Sequence, residues 1–395
     1  MKKENTSQSP RKNRFAALFS SLIRKDWFQT IFSSLVCIAG GLLVGFIALL
    51  IIEPSGAVEA ILAIIRCFFK FGNTGMILKY FGQTLVRSVP LLMCALSVLF
   101  AYKAGMFNIG VAGQYTAGAC IALYAAIAWH LPWYLCLLLA ILVGAALGAL
   151  AGLLKTAFNV NVVISGIMLN WIALYLTNQI LGTVKTNTSS HTHELSGKNP
   201  SALLPKLGLD QLFNGEKSVT IAIPLAILIA IAVWVVLYKT KFGYELKATG
   251  HNPHAAQYAG MKSNLNIVLT MAISGGIAAL GAGLLFLTGI ATWDTGISSL
   301  PAEGFNGIAV AFLGGLSPLG SLLSSFFIQY ITFGGTFVST DFYSPHISSL
   351  ISSLIIYLCA FSAFIKYIIG VCLRKHDEKI AAQAAQKHEE GGTEE

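Results

Sequence analysis

Neutral amides set between glycines are the most chemically pointed side chains of this 395-residue chain. The stretch Gly105-Met-Phe107-Asn108-Ile-Gly110-Val-Ala112-Gly113-Gln114 holds two of them inside an otherwise apolar run, and Asn170 and Asn306 stand in similar surroundings further on. Such groups neither attack a bond nor relay a proton; they can hydrogen-bond an uncharged solute rich in oxygen and nitrogen. Reactive constellations are missing. The histidines lie mostly in loops and tails, no pair of carboxylates shares an apolar segment, and there is no G-x-x-x-x-G-K-[ST] loop to cradle nucleotide phosphates. His191-Thr-His193 offers two metal-ligand side chains without a third, which reads as a solvated loop. The seven cysteines, at 37, 67, 94, 120, 136, 359 and 372, are scattered without a C-x-x-C and read as small buried hydrophobes. Catalysis is disfavoured, and no metal or cofactor of the chain's own is expected.

The elements that must position these amides are long and apolar. Charged residues make up only 11% of the chain, where a soluble protein would carry about a quarter, and the mean hydropathy is +0.71. About 20 apolar residues cross a bilayer as a helix. The apolar runs fall at about 31–52, 84–101, 107–129, 133–154, 160–182, 219–238, 266–288, 305–316, 317–333 and 348–371. The expected fold is all-α, a polytopic membrane bundle. Inside lipid every backbone polar group needs an internal partner. Gly-rich, broken backbone carrying Asn and Gln at that depth is tolerable only against protein or water, which points to a passage for solute.

Charge sets the expected orientation. Residues 1–30 form a basic tail, 31–371 the membrane part and 372–395 a second polar tail. The net charge of +9 sits at the ends and in loops, where it marks the cytoplasmic face and not a nucleic-acid surface. Both termini are then cytoplasmic, with 183–218 an external flap and 239–265 a cytoplasmic loop. Asn187-Thr-Ser189 in that flap is a formal glycosylation sequon. The stretch 53–83 falls outside although it carries Arg66, Lys70 and Lys79, and is expected to hold an amphipathic surface helix. Parity requires a break at Gly314-Gly-Leu-Ser-Pro318, which leaves 305–316 too short to span alone. Short interrupted helices of this kind mark transporter cores. Phe107-Asn-Ile-Gly-Val-Ala112 is echoed by Phe305-Asn-Gly-Ile-Ala-Val-Ala311 in the opposite sense, as inverted repeats would be. Asn108, Gln114, Asn170 and Asn306 are the expected polar lining, with Phe107, Trp171 and Phe305 as apolar walls.

The loop before the seventh span reads Gly250-His-Asn252-Pro253-His-Ala255-Ala256-Gln-Tyr258-Ala259-Gly260. Asn252 is a good N-cap, Pro253 suits the first helical position and Gly260 is a natural stop. The two turns between them carry Ala255, Ala256 and Ala259, a smooth face on which another protein could dock.

Several separated motifs between about 84 and 371 carry a family resemblance: Gly105–Gln114, Val160–Trp171, Gly250–Gly260, Ile273-Ser-Gly-Gly276 and Gly304–Pro318. Together they resemble the permease subunits of bacterial ABC importers of the ribose and branched-chain amino acid group, in the nucleoside branch. The resemblance implies a multi-pass protein of the bacterial cell (inner) membrane, non-catalytic itself. Gly250–Gly260 would be the coupling segment on an ATP-binding subunit that holds the ATP. A second permease, in a heterodimer, and an extracellular or periplasmic solute-binding (lipo)protein would complete the assembly, surrounded by lipid. Two acids of the family pattern are absent, at Ala112 and Val162, which weakens the solute assignment. The expected solute is a nucleoside, with a pentose or another simple sugar as the alternative, and an ion-independent channel or secondary carrier acting without an ATPase as the alternative class.

Overall fold

Two helices hold the centre of the molecule because neighbours take most of their surface. In the computed structural model, which describes residues 26–186, 188–338, 343 and parts of 350–378, these are α3 and α10 in the order that follows. The chain forms α1 (Asp26–Ile52), α2 (Ala57–Arg66), α3 (Thr74–Lys103), α4 (Val111–Ile127), α5 (Trp133–Phe158) and α6 (Val162–Leu181). It continues with α7 (Ala222–Lys239), α8 (Lys241–His251), α9 (Pro253–Tyr258), α10 (Ser263–Phe286), α11 (Ala302–Leu313) and α12 (Pro318–Gly335). Among the described residues, six helices are long and apolar enough to cross a membrane, and α4 and α11 are shorter apolar helices. The protein is therefore an all-α, multi-pass membrane bundle. The basic tail up to residue 25, the sequon residue Asn187 and much of the last apolar run lie outside the described residues.

The most apolar window of α3 is 89% buried and that of α10 72%, against 22–33% for α1, α5, α6 and α7. The latter four present broad apolar faces outward, as helices at a lipid boundary do. Lipid supplies no hydrophobic drive between helices, so close packing of small residues must bring them together. The sequence provides it between α4, α5 and α10. A Cβ on Gly118 would lie 2.5 Å from the Ala279 Cα, and one on Gly148 would strike the Met271 carbonyl.

Two ends of the bundle are distinguishable. At one end the loops around Glu216 and Trp293 form a cap; at the other, α8 and α9 form a knob. Helix α3 runs from cap to knob. It is longer than hydropathy indicates, because Asn73 caps it by accepting from the Gly75 N–H at 2.8 Å, some ten residues before the apolar run begins. The expected surface helix in 53–83 is α2, amphipathic and packed on α12 and α1. The break around Gly314 is present: Gly314–Ser317 separates α11 from α12, and α11 has only 12 residues. The knob end also holds the Leu313 carbonyl, which accepts from Ser34 Oγ of α1 at 2.7 Å.

Gly148→Ala should lower the stability of the detergent-solubilised protein by about 1–3 kcal/mol, because the α5 and α10 backbones must separate. Gly40→Ala, where a new Cβ meets nothing within 4 Å, should leave it unchanged. Thermal unfolding of the two variants beside the parent checks both outcomes.

Candidate functional site

The Gly105–Gly110 break folds back into the bundle, where its polar groups must be paired. Asn108 is wholly buried. Its Nδ2 donates to Gln114 Oε1 at 2.9 Å and to Ser274 Oγ at 2.8 Å. Ser274 Oγ in turn donates to the Ser97 carbonyl of α3 at 2.8 Å. Asn170 of α6 clamps the same break from the other side, accepting from the Gly113 N–H at 2.7 Å and donating to the Ile109 carbonyl at 3.0 Å. Thus Asn108, Gln114 and Asn170, expected as lining, are brought together as the seam that binds α3, α4, α6 and α10. Phe107 lies beside this seam, its ring 6.5 Å from that of Phe312.

The two sequence echoes meet without being equivalent. Gly304 of α11 packs on Ala112 of α4, where a Cβ would lie 2.5 Å from the Ala112 Cα. Asn108 precedes its helix, whereas Asn306 lies inside one that starts four residues earlier at Ala302. Asn306 thus stands within a helix and not at a break as Asn108 does. The remaining aromatic positions are separated. Trp171 is 40% exposed on the outer face of α6, stacked on Tyr175, and Phe305 is likewise exposed.

Asn306 instead faces a cavity of about 440 Å³ between α3, α11 and α12, whose lining includes Arg87, Pro90, Glu303, Gln329 and Thr332. Hydropathy puts Arg87 near the edge of its span and Glu303 in a loop; the structure corrects both. Arg87 is the fourteenth residue of the 30-residue α3, and Glu303 sits in the first turn of α11, whose N-terminal dipole favours a carboxylate. The Arg87 guanidinium lies 5.9 Å from the centroid of the Phe333 ring. Pro90, one turn on, lacks the N–H that would bond the Val86 carbonyl. Among the described residues, the side chains of Arg87, Glu303, Asn306 and Gln329 make no hydrogen bond or ion pair. Ionisable residues within an apolar span are the signal that could have flagged this site.

The stretch expected as a flap is stitched onto the bundle. Asn178 of α6 accepts from Trp293 Nε1 at 2.9 Å and donates to the Ile297 carbonyl at 2.7 Å. Asn199 donates to the Ala126 and Leu131 carbonyls. His191 pairs with Thr292, and no group of three metal-binding side chains occurs among the described residues. Glu216 anchors the cap to α3 by accepting from Gln83 Nε2 at 2.9 Å. Burial alone would raise its pKa. Hydrogen bonds from Ser218 and Gln83 and the charge of Lys79 outweigh that and hold the carboxyl below its ordinary value.

At the opposite end Asn252 caps α9, accepting from the His254 and Ala255 N–H groups at 3.0 and 3.1 Å. Pro253 occupies the first helical position, and Gly260 ends the unit with φ +81°. Two expectations need correction. Gly250 belongs to α8, where its main chain packs on that of Gly105; a Cβ there would lie 2.6 Å from the Gly105 nitrogen. Ala256 is 4% exposed because it is on the inner side of α9, so the outward face is Ala255, Tyr258 and Ala259. Tyr258 is 95% exposed.

A family model described as branched-chain amino acid transport system / permease component matches residues 80–360. The guanosine ABC transporter permease protein NupP of Bacillus subtilis is 34% identical over 305 residues, 75% of this chain and 85% of the relative. The nucleoside ABC transporter permease protein NupB of Lactococcus lactis subsp. cremoris is 30% identical over 317 residues, covering 78% and 85%. The glucose ABC transporter permease protein TsgB13 of Haloferax volcanii is 29% identical over 318 residues, covering 77% and 83%. No solved structure matches the chain significantly.

Acid should loosen the Glu216 anchor. A carboxyl whose folded pKa is depressed stabilises above its unfolded pKa and loses that contribution as pH falls through the folded value. The stability lead of the parent over Glu216→Gln should be full above pH 4.5, the ordinary value, and shrink steadily below it. Thermal unfolding of both proteins across that range is the measurement.

Proposed function

The chain belongs to the family of branched-chain amino acid transport system permease components, and on that premise we propose that it forms the path of an ATP-driven importer for a nucleoside. As a permease component it is not itself catalytic and works with an ATP-binding subunit and a solute-binding protein. The observation that carries the proposal is a combination within one chain. A cavity that Arg87, Glu303, Asn306 and Gln329 face without a hydrogen bond or ion pair lies at the start of a half-length helix, and a capped, exposed knob stands at one end of the same bundle. The nucleoside relatives support the solute class; the glucose relative keeps a simple sugar as the second reading.

The knob is the element we assign to the ATP-binding subunit. Its outward face carries the nearly fully exposed Tyr258 between the small Ala255 and Ala259. An exposed aromatic among residues that permit close approach suits docking. Behind that face Ser263 Oγ donates to the Pro253 carbonyl at 2.9 Å, tying α9 to α10. Main-chain contact between Gly250 and Gly105 ties α8 to the break. Movement of the knob would then reach the Asn108 seam without a flexible side chain between. Lys103, Lys155, Lys239, Lys241, Lys247 and Lys262 at the knob end support a cytoplasmic position for it and for both termini. The cap would then face the binding protein. A second permease of different sequence completes the path, and the aromatic face of α6 is available to it.

Ala255→Arg should abolish co-purification of the ATP-binding subunit while leaving the permease folded, since that side chain points outward. Retention of the subunit would remove the knob from the docking role. Reconstituted with its ATP-binding subunit and binding protein in proteoliposomes, the chain should import labelled guanosine only with ATP. Import of glucose in its place would establish the sugar reading, and nucleoside flux without the ATP-binding subunit would establish a carrier.

A further inference from the structure

We propose that the cavity between α3, α11 and α12 selects the solute by its base, with Arg87 and Glu303 together favouring a nucleoside whose base is a 6-oxopurine. This rests on the importer reading above and adds to it a filter inside the membrane part, separate from any choice made by the binding protein.

The argument starts from which polar groups are already engaged. The amides of Asn108, Gln114 and Asn170 hold helices together. Those of Asn306 and Gln329, with the charged groups of Arg87 and Glu303, face one cavity and make no hydrogen bond or ion pair among the described residues. Polar groups within a membrane bundle are expensive to leave unpaired and mark solute pathways. At about 440 Å³ the cavity lies within the range of small-molecule sites.

The chemistry of the two charges narrows what fits. A guanidinium only donates, and an ionised carboxylate only accepts. A neutral solute that satisfies both must carry an acceptor edge beside a donor edge. Guanine does so: O6 and N7 accept on one edge, the pattern arginine meets bidentately, and N1–H and N2–H2 donate on the next. Hypoxanthine keeps O6, N7 and N1–H. Adenine reverses the pattern, turning its N6–H2 donor toward the arginine and its N1 acceptor toward the carboxylate. Sugars bear hydroxyls that suit either charge and give no such discrimination. Phe333 lies under the guanidinium, and the first turn of α11 holds Glu303 at the cavity. Asn306 and Gln329 then remain for the ribose hydroxyls.

The test compares the full complex carrying the parent chain, Glu303→Gln or Arg87→Lys, each with the same binding protein in proteoliposomes. Uptake of labelled guanosine is challenged with inosine, adenosine and ribose. Glutamine can donate to the adenine N1, so Glu303→Gln should raise the standing of adenosine relative to guanosine by about tenfold. Arg87→Lys, losing the bidentate fork, should weaken guanosine and inosine together by a similar factor. If a variant fails to transport, competition binding of labelled guanosine to the complex in nanodiscs without the binding protein gives the same ratios. Unchanged ratios in both variants, with guanosine still handled, overturn this inference alone. A parent complex that handles ribose or glucose and no nucleoside overturns the solute reading, and this inference with it.

Discussion

The hydrogen bond from Asn108 to Ser274, and its continuation to the Ser97 carbonyl, is the interaction on which the rest of the bundle depends. A membrane protein can interrupt a helix only if the freed backbone finds partners nearby. Here the chain turns at Gly105–Gly110, and three side chains from two neighbouring helices and the turn itself close over the interruption. That allows α4 to start inside the bundle, which in turn lets Gly304 of α11 settle on Ala112. The two short helices thus meet start to start, and the first turns of α11 bring Glu303 and Asn306 to the cavity between α3, α11 and α12.

The polar residues of the interior thus divide by what they do. Asn108, Gln114 and Asn170 are saturated by protein, and their contribution is architectural, each interhelical bond amounting to about 1 kcal/mol. Arg87, Glu303, Asn306 and Gln329 keep their hydrogen-bonding capacity turned toward the cavity. The same residue type, asparagine, appears in both sets. What separates Asn108 from Asn306 is whether a serine or a carbonyl from another helix lies within reach, a property of the packing and not of the residue.

Much of this is legible in the sequence where the determinant is local. The capped knob follows from Asn252, Pro253 and Gly260 within nine residues, and the hairpin of α11 and α12 follows from Gly314 and Pro318. The amphipathic α2 is equally local. The inward turn of Ala256 is not legible, because it depends on the phase of α9 against α10. Arg87 escapes for a related reason: hydropathy starts its helix ten residues late, since Asn73 and the polar first turns of α3 hide the true beginning. The cap escapes altogether. Its fixation depends on pairs such as Trp293 with Asn178 and Asn199 with Ala126, which are far apart in the chain and carry no periodic signal.

The main-chain contact between Gly105 and Gly250 has a consequence for how this protein can vary. Gly105 combines a left-handed backbone, φ +75°, with a neighbour that leaves no volume for a methyl group. Two such surfaces mesh like gear teeth without backlash, so a shift of one is delivered whole to the other. The same rigidity leaves no slack for compensation: a larger residue on either side could be accommodated only by moving a whole helix, and no repacking of side chains nearby would restore the fit.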